Sequence, residues 1–106
     1  MTTIPGGYMS ASFKRGQQVI YIPTRVLRQY NPSGEWKLSD LLEHPEAKFG
    51  FVTGTTGNQA FCRFWDKADG FAELRTKANS ELTPQANLFE YKLKPQEVID
   101  ELLDSL

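Results

Sequence analysis

The chain has a single cysteine, Cys62, and a single histidine, His44. A lone thiol excludes an internal disulfide, so nothing staples the fold and a reducing, cytoplasmic setting is expected. One cysteine and one histidine without paired spacing exclude a standard structural zinc site, and neither a metal nor another cofactor is expected. No run approaches the roughly 18 consecutive apolar residues of a membrane span. The segment from Met1 to Ser10 lacks the basic and apolar stretches of a secretory leader. A marked basic excess, the usual sign of non-specific phosphate binding, is also missing, because the net charge is −1. Acid is absent from the opening third: from Met1 to Tyr30 the charged side chains are Lys14, Arg15, Arg25 and Arg28. The last twelve residues reverse this, carrying Glu97, Asp100, Glu101 and Asp104 and no base. Either the two ends attract each other, or each faces a different partner, or both are solvated faces.

What is present suits one folded domain. At 106 residues the chain can enclose one core, and 12 % aromatic residues is too rich for a disordered segment. Residues 1–12, with Pro5, Gly6 and Gly7, have no period and read as an arm that is mobile unless it docks. Gln18 to Ile22 is a β-branched and aromatic run ended by Pro23, and predicts the first strand. A long connection from Thr24 to Lys48 follows, with a turn at Asn31–Gly34 and a short helix from Asp40 to His44 capped by Ser39. Phe49–Thr53 and Asn58–Trp65 flank Gly54-Thr-Thr-Gly57 and predict a hairpin. In its second arm Ala60, Cys62 and Phe64 face one way and Phe61, Arg63 and Trp65 the other. Both faces are partly apolar, so the strand is expected to be covered on both sides or to lay an aromatic stripe under another segment. Ala72–Ala78 alternates cleanly as a further strand, 79–86 carries turn chemistry, and Asn87–Leu93 predicts the last strand. Pro95 opens a terminal helix over 95–106. There Val98, Ile99, Leu102, Leu103 and Leu106 form one apolar stripe, expected to dock on the domain.

This order resembles the SH3-like small barrels, including the Tudor and KOW-type modules. The resemblance is carried by Gly16-Gln-Gln-Val-Ile-Tyr-Ile22, by Gly50-Phe-Val-Thr-Gly54 with Gln59-Ala-Phe-Cys-Arg-Phe-Trp65, and by Glu73-Leu-Arg-Thr76 leading to Asn87-Leu88. It covers residues 14–93 and implies a mainly β fold, a five-stranded barrel with a C-terminal α-helix. The stretches FGFVT, FCRFW and LRTKANSE are also similar to short phage and prophage proteins, a likeness that implies no activity.

No constellation points to catalysis. Cys62 shares a strand face with Ala60 and Phe64 and reads as a buried hydrophobe. His44, between a helical turn and Pro45, reads as a surface or capping residue, and Gly54-Thr-Thr-Gly57 lacks the lysine and helix of a phosphate loop. The expectation is therefore a non-catalytic binding or adaptor module, its partner a protein or peptide before a nucleic acid. One site would group some of Tyr21, Phe51, Phe61, Phe64 and Trp65 at the barrel mouth, gripping a peptide side chain as Tudor-type modules grip cations. The alternative is RNA or DNA binding, with Arg63, Arg75 and Lys77 on phosphates and Trp65 or Phe61 stacked on a base. A third reading is a regulatory protein that docks on a host factor through its apolar helix or long loop. The expected ligand surface comprises Phe61, Arg63, Trp65, Arg75 and Lys77.

Overall fold

The computed structural model describes residues 13–30, 37–75 and 79–106. At its centre is the hairpin of β2 (Lys48–Thr56) and β3 (Gln59–Phe64), paired antiparallel from Gly50 opposite Phe64 to Thr56 opposite Gln59. The reversal is tighter than the glycine spacing implies. The strands run on to Thr56 and turn at Gly57 and Asn58, with Gly57 at φ +59. Gly54 instead follows a bulge, where the register slips between Val52 and Gly54. The extra residue, Thr53, donates its hydroxyl to the Phe61 carbonyl at 3.2 Å and lies 2.7 Å from Ser80 Oγ. A bulge of this kind increases local right-handed twist.

β1 (Gln18–Tyr21) pairs with the other side of β2, β5 (Leu88–Glu90) lies beside β1, and β4 (Glu81–Pro84) lies beside β3. The result is one open, five-stranded antiparallel sheet in the order β4-β3-β2-β1-β5. Three expectations are corrected here. Residues 72–75 form no strand and contribute a single bridge, Leu74 to Trp65, while 76–78 lie outside the described residues. The edge of β3 is taken instead by β4, from the segment whose Thr-Pro pair suggested a turn. An outer strand tolerates Pro84 because that residue need not donate to a ladder. β5 is also shorter than Asn87–Leu93, since Asn87 ends a one-turn 3-10 helix, Gln85–Asn87. The buried Asn87 amide donates to the Ile22 carbonyl at 2.8 Å and to Thr24 Oγ1 at 3.0 Å.

The connection from β1 to β2, expected to be irregular at its start, holds α1 (Thr24–Gln29). The Pro23 carbonyl accepts the N–H groups of Val26 and Leu27, both at 3.0 Å, and Val26 is sealed in the core. Six residues are too few to display a helical period. The next helical turn is 3-10, spans Leu38–Leu41 rather than Asp40–His44, and has Lys37 rather than Ser39 at its cap. The proposed turn at 31–34 and the arm at 1–12 lie outside the described residues.

α2 (Gln96–Asp104) docks as its stripe requires, burying Ile99 fully with Val98, Leu102 and Leu103 packed alongside. Pro95 is its N-cap rather than its first helical residue. Gln96 Nε2 donates to the Gly16 carbonyl at 2.8 Å, and Arg15 reaches the Leu103 carbonyl at 3.5 Å, a cation at the negative end of the helix dipole. Arg15 thus meets the helix through a backbone carbonyl, while the carboxylates of Glu97, Asp100, Glu101 and Asp104 remain exposed. Gln18, buried on β1, binds the backbone of Lys94 twice, accepting its N–H at 2.9 Å and donating to its carbonyl at 2.6 Å.

Strand alternation sorts the core into two clusters on opposite faces of the sheet. Ile20, Ile22, Phe49, Phe51 and Trp65 pack with Val26, Leu41, Ala47 and Ile99. Val19, Val52, Ala60, Cys62, Phe64 and Leu88 pack with Phe13. Both faces are covered, as the two-sided apolar pattern of β3 anticipates.

Candidate functional site

A cleft of about 610 Å³ opens where β2 begins and β3 ends. One wall is the segment Pro45–Lys48 with Tyr21 and Pro23, and the other is Asp66–Ala68 with Phe71 and Arg75. Phe49 and Trp65 lie at its base, only 5 % and 6 % exposed.

The second wall is shaped by the turn after β3. Asp66 accepts the Ala68 N–H at 2.9 Å and starts a one-turn 3-10 helix, Lys67–Asp69. Gly70 at φ +71 and Phe71 at φ +67 then reverse the chain in succession. Left-handed backbone is costly for a bulky side chain, and such strain persists where surrounding contacts overdetermine it. Here the Phe71 N–H bonds the Asp66 carbonyl at 2.8 Å, and its ring meets Phe49 edge-on at 5.4 Å.

The rim is cationic. Lys67 Nζ donates to the carbonyls of His44 at 2.8 Å and Pro45 at 3.1 Å, tying the two walls together. Desolvation there pulls its ammonium pKa below the usual lysine value. Lys48 lies 4.0 Å from Glu81 and stands over the rings of Tyr21 and Phe64, at 5.6 and 5.7 Å. Arg75 is exposed, anchored by its backbone N–H to the Phe64 carbonyl at 2.9 Å. The two acids of the lining are engaged. Glu46 pairs with Arg25, whose hydrogen bond holds the carboxyl below its ordinary pKa, and Asp66 caps the helical turn.

The Trp65 ring has a cation of the chain's own against it. Lys94 Nζ sits 4.2 Å from the ring centroid and donates to the Phe71 carbonyl at 2.5 Å. The indole Nε1–H is buried and has no acceptor among the described residues.

Of the expected surface residues, Trp65 and Arg75 line this cleft. Phe61 and Arg63 share the Trp65 face of β3 but run away from the cleft. Phe61, 37 % exposed, pairs with Leu82 on β4, and Arg63 is half-buried opposite Phe51. Lys77 lies outside the described residues. The proposed aromatic group divides across the sheet. Tyr21 meets Phe64 at 6.2 Å on one face, Phe51 meets Trp65 at 6.1 Å on the other, and Phe51 and Phe64 are core. Sequence reasoning missed Phe49, Phe71, Lys48 and Lys67. Only the Gly70-Phe71 pair, a glycine before a ring at the end of a polar turn, offered a local signal.

Cys62 is sealed in the second cluster, where burial pushes its thiol pKa up to about 12 despite a hydrogen bond with Thr83. His44 Nδ1 accepts the Glu46 N–H at 3.0 Å and its ring meets Tyr30 edge-on at 6.1 Å, so it shapes the wall segment. Among the described residues no three His, Cys, Asp or Glu side chains gather as metal ligands. No helix among them is long and apolar enough to cross a membrane. Compared with known proteins, the chain significantly matches no family model, no curated protein and no solved structure.

Proposed function

We propose that the chain is a non-catalytic binding or adaptor module, an SH3-like small barrel that holds part of a partner protein in the cleft between Pro45–Lys48 and Asp66–Arg75. The observation that carries this reading is the cleft itself, with an aromatic base and three cations, Lys48, Lys67 and Arg75, around it. Concave sites with apolar walls and a few placed polar groups are where ligands usually bind. The walls are loops held by a covered sheet, the usual division between scaffold and binding surface.

Chain connectivity supports the barrel. In a flat sheet β4 and β5 would stand four strand spacings apart, about 19 Å. Pro84 and Leu88 are joined by one 3-10 turn of three residues, which advances only about 2 Å per residue. A link of about 8 Å reaches from edge to edge only when the sheet curls strongly on itself.

Catalysis has little support, since the thiol is sealed and the imidazole is committed to the wall. Nucleic acid is the weaker ligand. Stacking needs open ring faces, whereas Phe49 and Trp65 are almost fully buried and Trp65 has Lys94 against its ring.

The test is selection of peptides from a random displayed library, followed by NMR titration of the labelled protein. Selected peptides are expected to shift the amide signals of Ala47, Ala68 and Phe71. Enrichment of peptides that move only signals around Leu82 or Leu106, or no enrichment at all, overturns the cleft as the binding site. A gel shift in low salt is expected to leave RNA and DNA unretarded; retardation would favour the nucleic-acid reading.

A further inference from the structure

We infer that the cleft takes an acidic polypeptide segment carrying an apolar anchor, an inference that rests on the binding-module reading above. The argument begins with which charges around the cleft are already answered. Glu46 is neutralised by Arg25, and Asp66 is fixed by the neutral Ala68 N–H with its charge in place, so one unneutralised carboxylate of the lining stands against Lys48, Lys67 and Arg75. Lys67 spends its donors on two neutral carbonyls, which orient the ammonium without cancelling its charge. Lys48 stands at the 4.0 Å limit of an ion pair with Glu81. Arg75 is exposed on the wall, and no ion pair among the described residues holds it. The field in the cleft is therefore positive within a chain of net charge −1, and complementarity selects a negative partner.

One observation chooses carboxylates on a polypeptide over phosphates on a nucleic acid. The rings lack the open faces that bases need, while half-buried Tyr21 and Phe71 present apolar surface suited to an aliphatic side chain. A cationic ligand is disfavoured, because Lys94 already lies against Trp65 and Lys48 stands over Tyr21 and Phe64.

The experiment uses the full chain, a fluorescein-labelled peptide alternating glutamate with leucine, the same peptide with glutamine for glutamate, and labelled oligothymidylate. Fluorescence anisotropy is expected to give the acidic peptide at least about tenfold tighter binding than the neutral one, a difference that shrinks as salt is raised. NMR is expected to show the acidic peptide shifting the Ala47 and Ala68 amides. Arg75→Glu is expected to weaken it by about tenfold or more, while Lys92→Glu, the same charge change on an exposed residue outside the cleft lining, leaves binding unchanged. Equal affinity for the neutral peptide with the same amides shifted overturns the acidic class and leaves the cleft reading standing. Tighter binding of oligothymidylate at those amides overturns it in favour of nucleic acid. An acidic peptide that leaves them unmoved overturns this inference, and the cleft reading falls with it only if the peptides selected from the random library leave them unmoved as well.

Discussion

At Gly50 an added Cβ would lie 2.0 Å from the Arg63 carbonyl oxygen and 2.9 Å from Phe64 Cα. The neighbour is backbone in the middle of the sheet and cannot step aside. Gly50→Ala should therefore cost about 3 kcal/mol or more, read as a lower urea midpoint. Gly54→Ala, whose nearest contact would be a ring atom at 3.9 Å, should leave the midpoint almost unchanged. Equal effects would mean that β2 and β3 do not approach as described. Cys62 supplies a pH test. Its thiol ionises near 9 in the unfolded chain and at about 12 in the fold, so the folded state retains the proton longer. The associated stability is complete below about pH 8.5 and is lost as pH rises toward 12. Urea midpoints at pH 7 and pH 10 should differ more for the native chain than for Cys62→Ala. A thiol reagent at pH 8 should label Cys62 only after denaturant is added.

Among the elements, α2 depends most on one residue. Ile99→Ala should cost about 2 to 5 kcal/mol, because it empties a fully enclosed site between helix and sheet, whereas exposed Leu106→Ala should cost little. Paired denaturation curves check this, and a small effect at Ile99 would mean that the helix does not lie on the sheet. α2 was legible because five apolar residues kept one period over nine positions. The hairpin was legible from its ring and β-branched content, although the turn was misplaced because a bulge uses glycine as readily as a reversal does. α1 was not legible, since six residues show no period and its stability comes from burying Val26. The β4 assignment failed for a different reason. Local alternation favoured 72–78, yet partner choice is a tertiary matter, and Thr-Pro chemistry that looks like a turn is acceptable on an outer strand. Trp65 was recognisable as a site candidate from its strand, but Lys94 lies 29 positions later and nothing local announces that it meets the ring.

Across the whole molecule, the sheet links distant parts of the chain, with Val19 opposite Glu90 and Tyr21 opposite Leu88. Such pairing closes only after most of the chain is in place, so folding should be slower than for a helical protein of this length. Stopped-flow refolding in the millisecond to second range is the expected result. Gln18 strengthens that late closure by answering both backbone groups of Lys94. Gln18→Leu, which leaves them unanswered inside the fold, should cost about 1 to 3 kcal/mol and should mainly speed unfolding. Kinetics in which Gln18→Leu instead slows folding would place this clamp early.

The contacts of Gly16 with Gln96 and of Arg15 with Leu103 bring the first and last stretches of the described residues to one spot on the surface. A short tether across that spot, combined with a cut at the exposed Gly57-Asn58 corner, would give a permuted chain with new termini and the same neighbours throughout the sheet. By the same geometry, the part from Phe13 to Leu106, which keeps Phe13 in its core cluster, could be set into a surface loop of another protein without prising its host apart.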